Sequence, residues 1–580
     1  MNASRPGVLA VRAANQYRRR DVLSYLGLRY YAENSAAHTD NWAKDVATNL
    51  VLNRDAAPYF LASHFKEITS NGVTHREITL PGPNEALAET ALLDECSRYP
   101  NAFDPAPCVF SYRLATGDDR SGLYEHYVNG LRKRHLAIAE ACDNTPSGVV
   151  LYTDIKRFYP SIRPELALKA WSQQCEIAGM SSAHKALGEK LIHDHAAATD
   201  PSSPSILTGP MFSHLIGNLV LRDIDEALSA SLPAKYFRYV DDITLVGSEE
   251  AVYRSREIVR ERLEELGLFL HDESSPKNLE VPVSEWLEGR NDFAESSNPI
   301  SWMTLIADLK RFLFKHPDQR EALQTAFVEK GFRIPTQDYS GAVGERGYLA
   351  RLRQLLSKKW FRERFRKITI NSLVYQAEWL RESYRKLFDE LLADDNNASG
   401  YARKRLIPKQ RYMAGRLIYL LNQEELGQLY PRVQEHEELF FHASVMEAIS
   451  TGSVDRILEL GTNAAQAAAQ PLRAGNIDCT TDLIELTKPQ TQALAILLLN
   501  GINVARTKEF DYPEKGILKF SEIGSDSDLM QDADHFVREL ACLHGISEEA
   551  RHSEILDSAF DADEELALDA IDQFHQSLSA

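Results

Sequence analysis

The chain reads as an α+β protein in which a region of alternating strands and helices, from about residue 100 to 290, precedes a mostly helical C-terminal half. Three observations predict this. The run Phe237-Arg238-Tyr239-Val240-Asp241-Asp242-Ile243-Thr244-Leu245-Val246 places two aspartates between segments rich in aromatic and β-branched residues, which reads as strand–turn–strand. Upstream, Val149-Val150-Leu151-Tyr152-Thr153-Asp154 is an apolar strand ending in an aspartate, followed by Ile155-Lys156-Arg157-Phe158-Tyr159 and a turn at Pro160. Beyond residue 300, strand signals largely vanish and apolar residues recur at helical spacing, as with Leu483, Leu486, Leu494 and Leu497 around the Pro489 break.

Taken in order, residues 1–100 read as mainly helical, with an extended stretch near Glu77-Ile78-Thr79-Leu80-Pro81. Residues 101–290 carry the strand and helix alternation. Within them, Leu207-Thr208-Gly209-Pro210-Met211 is a glycine-proline turn opening a helix, where backbone can approach a ligand closely. Residues 291–420 form a basic helical region and residues 421–580 an acidic helical one. Breaks fall near Asp395-Asn396-Asn397-Ala398-Ser399-Gly400 and at Arg473-Ala474-Gly475, so short paired helices are expected to stack in a repeat-like way, although no sequence period enforces it.

A length of 580 residues exceeds one ordinary domain, and 44% hydrophobic content is enough for well-formed cores. The cysteines (Cys96, Cys108, Cys142, Cys175, Cys479, Cys542) are scattered without CxxC or Cys/His pairing. Disulfide frameworks and structural zinc are therefore not expected, and a reducing cytoplasm is the expected compartment. The apolar run Ala493–Leu499 is far too short to span a bilayer, so no membrane partner is expected. Arg12 and Arg18-Arg19-Arg20 lack an apolar signal core and suit a basic start that contacts nucleic acid.

The net charge of −19 divides unevenly, with about −10 over residues 1–300, about +11 over 301–420 and about −20 over 421–580. The middle block interleaves Arg351, Lys358, Lys359, Arg362, Arg366, Arg403, Lys404 and Arg405 with aromatics such as Trp360. Basic side chains neutralise phosphates and aromatic rings stack on bases, so this block is the expected nucleic-acid track. The acidic end, including Asp561, Asp563, Glu564 and Glu565, would repel nucleic acid and reads as a solubilising helix.

Two carboxylates at a hairpin tip disfavour each other's ionisation, and a cation is the usual compensation. Hard carboxylate oxygens suit Mg²⁺ or Mn²⁺, which commonly work in pairs during phosphoryl transfer.

Asp154 on its strand, Tyr239-Val240-Asp241-Asp242 on the hairpin, and Gly209, Ser213 and Asn218 between them occur in the order found in reverse transcriptases. Leu266-Gly267-Leu268-Phe269-Leu270-His271 followed by Lys277 resembles the next motif of that family. The resemblance covers residues 100–285 and implies a right-hand palm with fingers. It also implies catalysis by Asp154, Asp241 and Asp242, with the backbone of Ile155 completing the coordination of two Mg²⁺ (or Mn²⁺) ions about 3.5–4 Å apart. By the same resemblance one ion would activate the primer hydroxyl and the other would bind the incoming triphosphate. Tyr159, with Phe158 beside it, would exclude a ribose 2′-OH and so select dNTPs, and Gly209 would line the nucleotide site. Lys277 would neutralise or protonate the leaving phosphate. Arg113, and the cluster Arg132-Lys133-Arg134, are candidates for triphosphate contacts.

The chain has Leu207-Thr208-Gly209 where most of the family has Pro-Gln-Gly. That departure, the absence of a zinc-bearing endonuclease or an RNase H, and the long helical extension make the chain similar to bacterial abortive-infection and other defence-associated reverse transcriptases. The resemblance implies antiphage defence and DNA synthesis, possible without a template, primed in some members by a protein hydroxyl. It further implies assembly as a trimer or hexamer. Two alternatives stay open: an enzyme copying a dedicated noncoding RNA or belonging to a mobile element, and a silent palm acting as a nucleic-acid-binding scaffold.

Overall fold

The computed structural model describes residues 13, 16, 17, 22–33, 46, 50–55, 57–70, 72–115, 122–125, 127–275, 277–290, 300–336, 367–395, 398, 400–506 and 515–545. It is a helix-rich α+β structure. Among the described residues, no helix is long and apolar enough to cross a membrane.

Two sheets matter for the site. The first is a long antiparallel hairpin of β1 (Tyr59–Thr69) and β2 (Gly72–Pro81), with an irregularity between Phe65 and Glu67. The second is a four-stranded sheet of β3 (Val149–Asp154), β4 (Lys235–Tyr239), β5 (Asp242–Gly247) and β6 (Leu279–Pro282), in the order β4-β5-β3-β6. Every pairing in it is antiparallel, and β3 lies between β5 and β6.

Helices pack against both faces of this sheet, which explains why β3 and β5 are buried at nearly every position. Val150, Tyr152 and Val246 pack with Ile138, Ala139 and Cys142 of helix α1 (Tyr127–Asp143). Leu151, Ile243 and Leu245 point the other way, into the main core shared with α2 (Met211–Ser231) and α3 (Glu249–Glu264). With side chains alternating along a strand, Asp154 and Asp242 fall on the α1 side, at the end of the β3–β5 pairing.

The second half of the chain is mainly helical. It contains α4 (Ile370–Asp395), α5 (Gly400–Leu420), α6 (Thr462–Ala474) and α7 (Lys488–Leu499), with a short parallel pair formed by β7 (Cys479–Thr481) and β8 (Val504–Arg506). Among the described residues, one large apolar cluster joins Tyr17 and Leu26 to Leu497, Phe536 and Leu540. The C-terminal helices are therefore packed onto the N-terminal half rather than appended to it.

Among the described residues up to 100, the helices Val22–Glu33 and Pro83–Cys96 flank the β1–β2 hairpin, Tyr59–Pro81, which is longer than the extended stretch expected near Glu77–Pro81. The sequence signalled only its last residues as extended. Tyr59-Phe60-Leu61-Ala62-Ser63-His64-Phe65-Lys66-Glu67 mixes helix formers with strand formers, and pairing with β2 decides the outcome.

Candidate active site

The antiparallel register of β3 and β5 sets Asp154 directly opposite Asp242. Asp241 occupies the turn immediately before β5, and oxygens from all three carboxylates lie within 4.8 Å of one another. The sequence reading placed these residues in one site, and the fold brings them together.

The turn is strained. Val240 has φ 58°, a left-handed conformation that a β-branched residue enters at a cost of about 1–2 kcal/mol. Its N–H donates to Ser111 Oγ at 2.7 Å and its carbonyl accepts from Arg238 Nη1 at 2.6 Å. The N–H of Ile155 ties the strand to the turn by donating to the Asp241 carbonyl at 3.2 Å. Arg238 is itself held by a fully buried pair with Asp225, through Nε to Oδ1 at 2.9 Å and Nη2 to Oδ2 at 2.6 Å. The Tyr236 hydroxyl donates to Asp225 Oδ1 at 2.8 Å, and Asn218 Oδ1 accepts from Arg238 Nη2 at 3.2 Å. Asn218 also donates to the Ser111 carbonyl at 3.2 Å. A buried polar network on α2 thus fixes the turn that carries Asp241.

The electrostatics follow from the geometry. Burial, and then Asp154, push the Asp241 carboxyl up to about 7. Burial, and then Asp241, push Asp242 well above the carboxylate range, against the pull of Arg134. Asp154 is raised by burial and held down by Lys277 and His271, whose Nζ and Nε2 lie 3.5 and 3.9 Å from its Oδ2. Arg134 Nη1 lies 3.9 Å from Asp242 Oδ2, and its Nη2 donates to Thr244 Oγ1 at 2.7 Å. Its guanidinium sits 5.9 Å from each of the Tyr152 and Tyr239 ring centres.

Whether these residues fit divalent cations can be judged from their oxygens. Asp154 Oδ1 and Asp242 Oδ2 are buried, and among the described residues neither accepts a hydrogen bond. An orphaned buried carboxylate oxygen calls for a proton or a cation. Three converging carboxylates supply the hard anionic donors that Mg²⁺ and Mn²⁺ take, so the cluster fits them.

Around the cluster, the predicted nucleotide-side residues divide. Gly209 has φ 129°, and a Cβ there would stand 2.3 Å from the Thr79 carbonyl oxygen, so only glycine allows β2 to pass this turn. Tyr159 and Phe158 are buried beneath α2, where a Cβ on Gly217 would meet the Phe158 ring at 3.0 Å. The Tyr159 hydroxyl is 2.6 Å from His214 Nδ1, and His214 lies flat on Tyr112 with centroids 3.7 Å apart and planes 6° apart. Lys277 reaches Asp154 as described. Arg113 is folded back, donating from Nη2 to the carbonyls of Val109 at 2.7 Å and Ala106 at 2.8 Å. Within the neighbouring cluster, Lys133 pairs with Glu125 at 2.8 Å on the surface, whereas Arg134 is the buried neighbour of Asp242.

Of the expected nucleic-acid track, Arg351, Lys358, Lys359, Arg362 and Arg366 lie outside the described residues. Arg403 is engaged within the chain, 3.1 Å from both Asp395 and Glu438. Arg405 donates to the Glu288 carbonyl at 2.9 Å, with the Glu288 carboxylate 3.6 Å away. Lys404 has its pKa lowered by burial and then by Lys277.

Four contributors escaped the sequence reading. Arg76 on β2 is close enough to Asp241 to lower its pKa. His271 approaches Asp154, His214 holds the Tyr159 hydroxyl, and Asp225 anchors Arg238. A signal existed for the last: Asn218 and Asp225 are seven residues apart, hence on one face of α2, two turns from each other.

No family model matches the chain, and no curated protein matches it. Among solved structures, it is similar to a chain of the telomerase from Candida albicans, solved in complex with a TWJ fragment of telomeric RNA. That match has 11% identity, covers 69% of this chain and 67% of that one, and has a TM-score of 0.28. A likeness of that size carries no argument.

Proposed function

We propose that the chain is a reverse-transcriptase-type DNA polymerase that transfers nucleotidyl groups from dNTPs, with Mg²⁺ or Mn²⁺ held by Asp154, Asp241 and Asp242. One observation carries the reading: three carboxylates from segments almost ninety residues apart converge at one end of an antiparallel sheet, with two buried oxygens that accept no hydrogen bond among the described residues. The cations would supply charge neutralisation and Lewis acidity for phosphoryl transfer. The chain's own residues do the rest. Asp154 and Asp241 hold the site, while Asp242, countered by Arg134, shapes it from the sheet side. Lys277, with its pKa lowered chiefly by burial, is suited to pass a proton to a leaving phosphate oxygen. Arg76, Lys277 and Lys404 supply positive charge for a triphosphate. Tyr159, fixed by His214, offers a ring on which a deoxyribose can rest.

Antiphage defence, template-independent or protein-primed synthesis, and trimeric or hexameric assembly are supported by the motif resemblance, the altered glycine turn and the long helical extension. Copying of a dedicated noncoding RNA is the competing form of the same chemistry.

The test is incubation of purified protein with labelled dNTPs and Mg²⁺ or Mn²⁺, without added nucleic acid, and then with primed RNA. Asp154→Asn and Asp241→Asn are expected to abolish incorporation while leaving the circular dichroism spectrum unchanged. Full activity in either variant refutes this active site. Label that stays on the protein after denaturation supports protein priming, and loss of synthesis after nuclease treatment supports a bound RNA template.

A further inference from the structure

We infer that Ser111 and Tyr112 are positioning residues that tie Tyr159 to the turn carrying Asp241, so that Tyr112 governs discrimination between deoxyribose and ribose through His214. This rests on the polymerase reading above and gives sugar selection a determinant outside the segment that carries Tyr159.

Residues 108–115 are pinned by backbone on two sides. On one side the Arg238 N–H of β4 donates to the Cys108 carbonyl and the Phe110 N–H donates to the Arg238 carbonyl, both at 3.0 Å. Val109 and Arg238 thereby form a short parallel bridge. On the other side the Glu125 N–H donates to the Arg113 carbonyl at 2.8 Å, and the Ala115 N–H to the Leu123 carbonyl at 2.9 Å. Between these anchors Tyr112 has φ 48°, a left-handed conformation that is unfavourable for a bulky side chain. Such strain persists only where the surroundings over-determine it, and it gathers at functional sites. Asn218 of α2 helps to hold it, with Nδ2 donating to the Ser111 carbonyl at 3.2 Å and to the Tyr112 carbonyl at 3.4 Å.

The two side chains serve different parts of the site. Ser111 Oγ accepts from the Val240 N–H at 2.7 Å, in the turn that presents Asp241. The Tyr112 ring lies flat on His214 at 3.7 Å, and His214 Nδ1 is 2.6 Å from the Tyr159 hydroxyl. Tyr124 steadies the stack from the side. Its ring meets Tyr112 edge-on at 5.3 Å, and its hydroxyl donates at 2.7 Å to the carbonyl of Met211, the first residue of α2. His214 is thus fixed on one face by Tyr112 and at Nδ1 by Tyr159. The imidazole cannot swing into the space that the Tyr112 ring fills. Without that ring it can, and Tyr159 can follow it when a 2′-OH presses from the nucleotide side. One dipeptide therefore fixes both the turn that carries Asp241 and the residue that meets the sugar.

The test uses the full chain and compares incorporation of dNTP and rNTP with Mg²⁺. Tyr112→Leu is expected to lower the dNTP-over-rNTP ratio of kcat/KM about fivefold. The change should come from a lower KM for rNTP, with kcat for dNTP within about twofold of wild type. Damage to the fold alone would depress both substrates together and leave the ratio unmoved. Tyr112→Phe, which keeps the ring, should keep the wild-type ratio. Should Tyr112→Leu fail to fold, Tyr112→Asn gives the same reading, since asparagine suits left-handed backbone. Tyr112→Leu added to Tyr159→Ala should change the ratio little further, because both act through one ring. Ser111→Ala should weaken Mn²⁺ binding about fivefold in calorimetry, because the Val240 N–H loses its acceptor. An unchanged ratio in Tyr112→Leu, full additivity with Tyr159→Ala, or Mn²⁺ affinity unmoved by Ser111→Ala overturns the inference. A wild type that incorporates neither nucleotide overturns the polymerase reading and this role with it. A wild type that incorporates both equally overturns this role alone.

Discussion

Proton and cation compete for the same oxygens at the aspartate cluster, and the outcome can be worked from the structure. Without a cation, the Asp241 carboxyl sits near 7, raised first by burial and then by Asp154. Such a group is about nine-tenths ionised at pH 8 and about one-tenth ionised at pH 6. A cation binds the ionised form, so its apparent affinity should fall at least about tenfold from pH 8 to pH 6, and further to the extent that Asp242 also releases a proton. Calorimetric titration of the chain with Mn²⁺ at both pH values, in buffers of different ionisation enthalpy, reads the affinity and the proton release together. An affinity that is flat between pH 6 and pH 8, or unchanged in Asp241→Asn, refutes the reasoning.

The same shift has a sign for stability. Asp241 holds its proton more tightly in the folded chain than in the unfolded one. The contribution of Asp241 to the stability of the metal-free protein is therefore fully present below the unfolded carboxylate pKa and is lost as pH rises from about 4 through about 7. A cation should reverse this trend. In EDTA, Tm should be lower at pH 8 than at pH 5, and Mg²⁺ should raise it more at pH 8.

Arg134→Met removes the cation beside Asp242 and the donor to Thr244, so the metal-free protein should lose roughly 1–3 kcal/mol. Mg²⁺ should raise Tm by more in this variant than in the wild type, and an equal rise would remove Arg134 from the site. Tyr159→Ala should cut the dNTP-over-rNTP ratio of kcat/KM by at least about tenfold, with His214→Phe, which keeps the stack on Tyr112 but not the hydroxyl contact, falling between it and wild type. An unchanged ratio in Tyr159→Ala ends its assignment as the sugar floor. Arg238→Met leaves buried Asp225 uncompensated and should destabilise the chain by about 3–5 kcal/mol in urea unfolding. Asp225→Leu added to it should recover much of that stability without restoring incorporation.

The aspartate cluster was legible because its determinants are local. Apolar runs around Asp154 and around Asp241-Asp242 announce two strands, and a strand's period of two fixes which side chains share a face. The hairpin Tyr59–Pro81 was not legible in full, since its first strand is specified by β2 and by Asn463 and Gln492 far downstream. Arg134 looked like one of three equivalent basic residues. Its burial follows from the Cys142–Ile138 face of α1 packing on Val150 and Val246, which no local pattern displays. Arg403 and Arg405 were grouped with the basic block by charge alone, although each has a carboxylate waiting across a helix or a strand end.

The placement of the Arg238–Asp225 pair beneath the turn that carries Asp241 needs its own explanation, because a buried ion pair is seldom a net source of stability and apolar residues would pack as well. Apolar packing has no direction, however, and the turn needs one. Val240 sits in a left-handed conformation that relaxes unless both its N–H and its carbonyl are held. Arg238 grips the carbonyl with one nitrogen while its other two bind Asp225, so the guanidinium plane cannot rotate without breaking three bonds. Ser111 grips the N–H, and Asn218 joins Ser111 to Arg238. Relaxation at Val240 would swing Asp241 away from Asp154 while Asp242 stayed paired in the sheet, opening the one cluster able to hold a cation among the described residues. The network is thus best understood as fixing an angle at the turn, with stability a secondary matter.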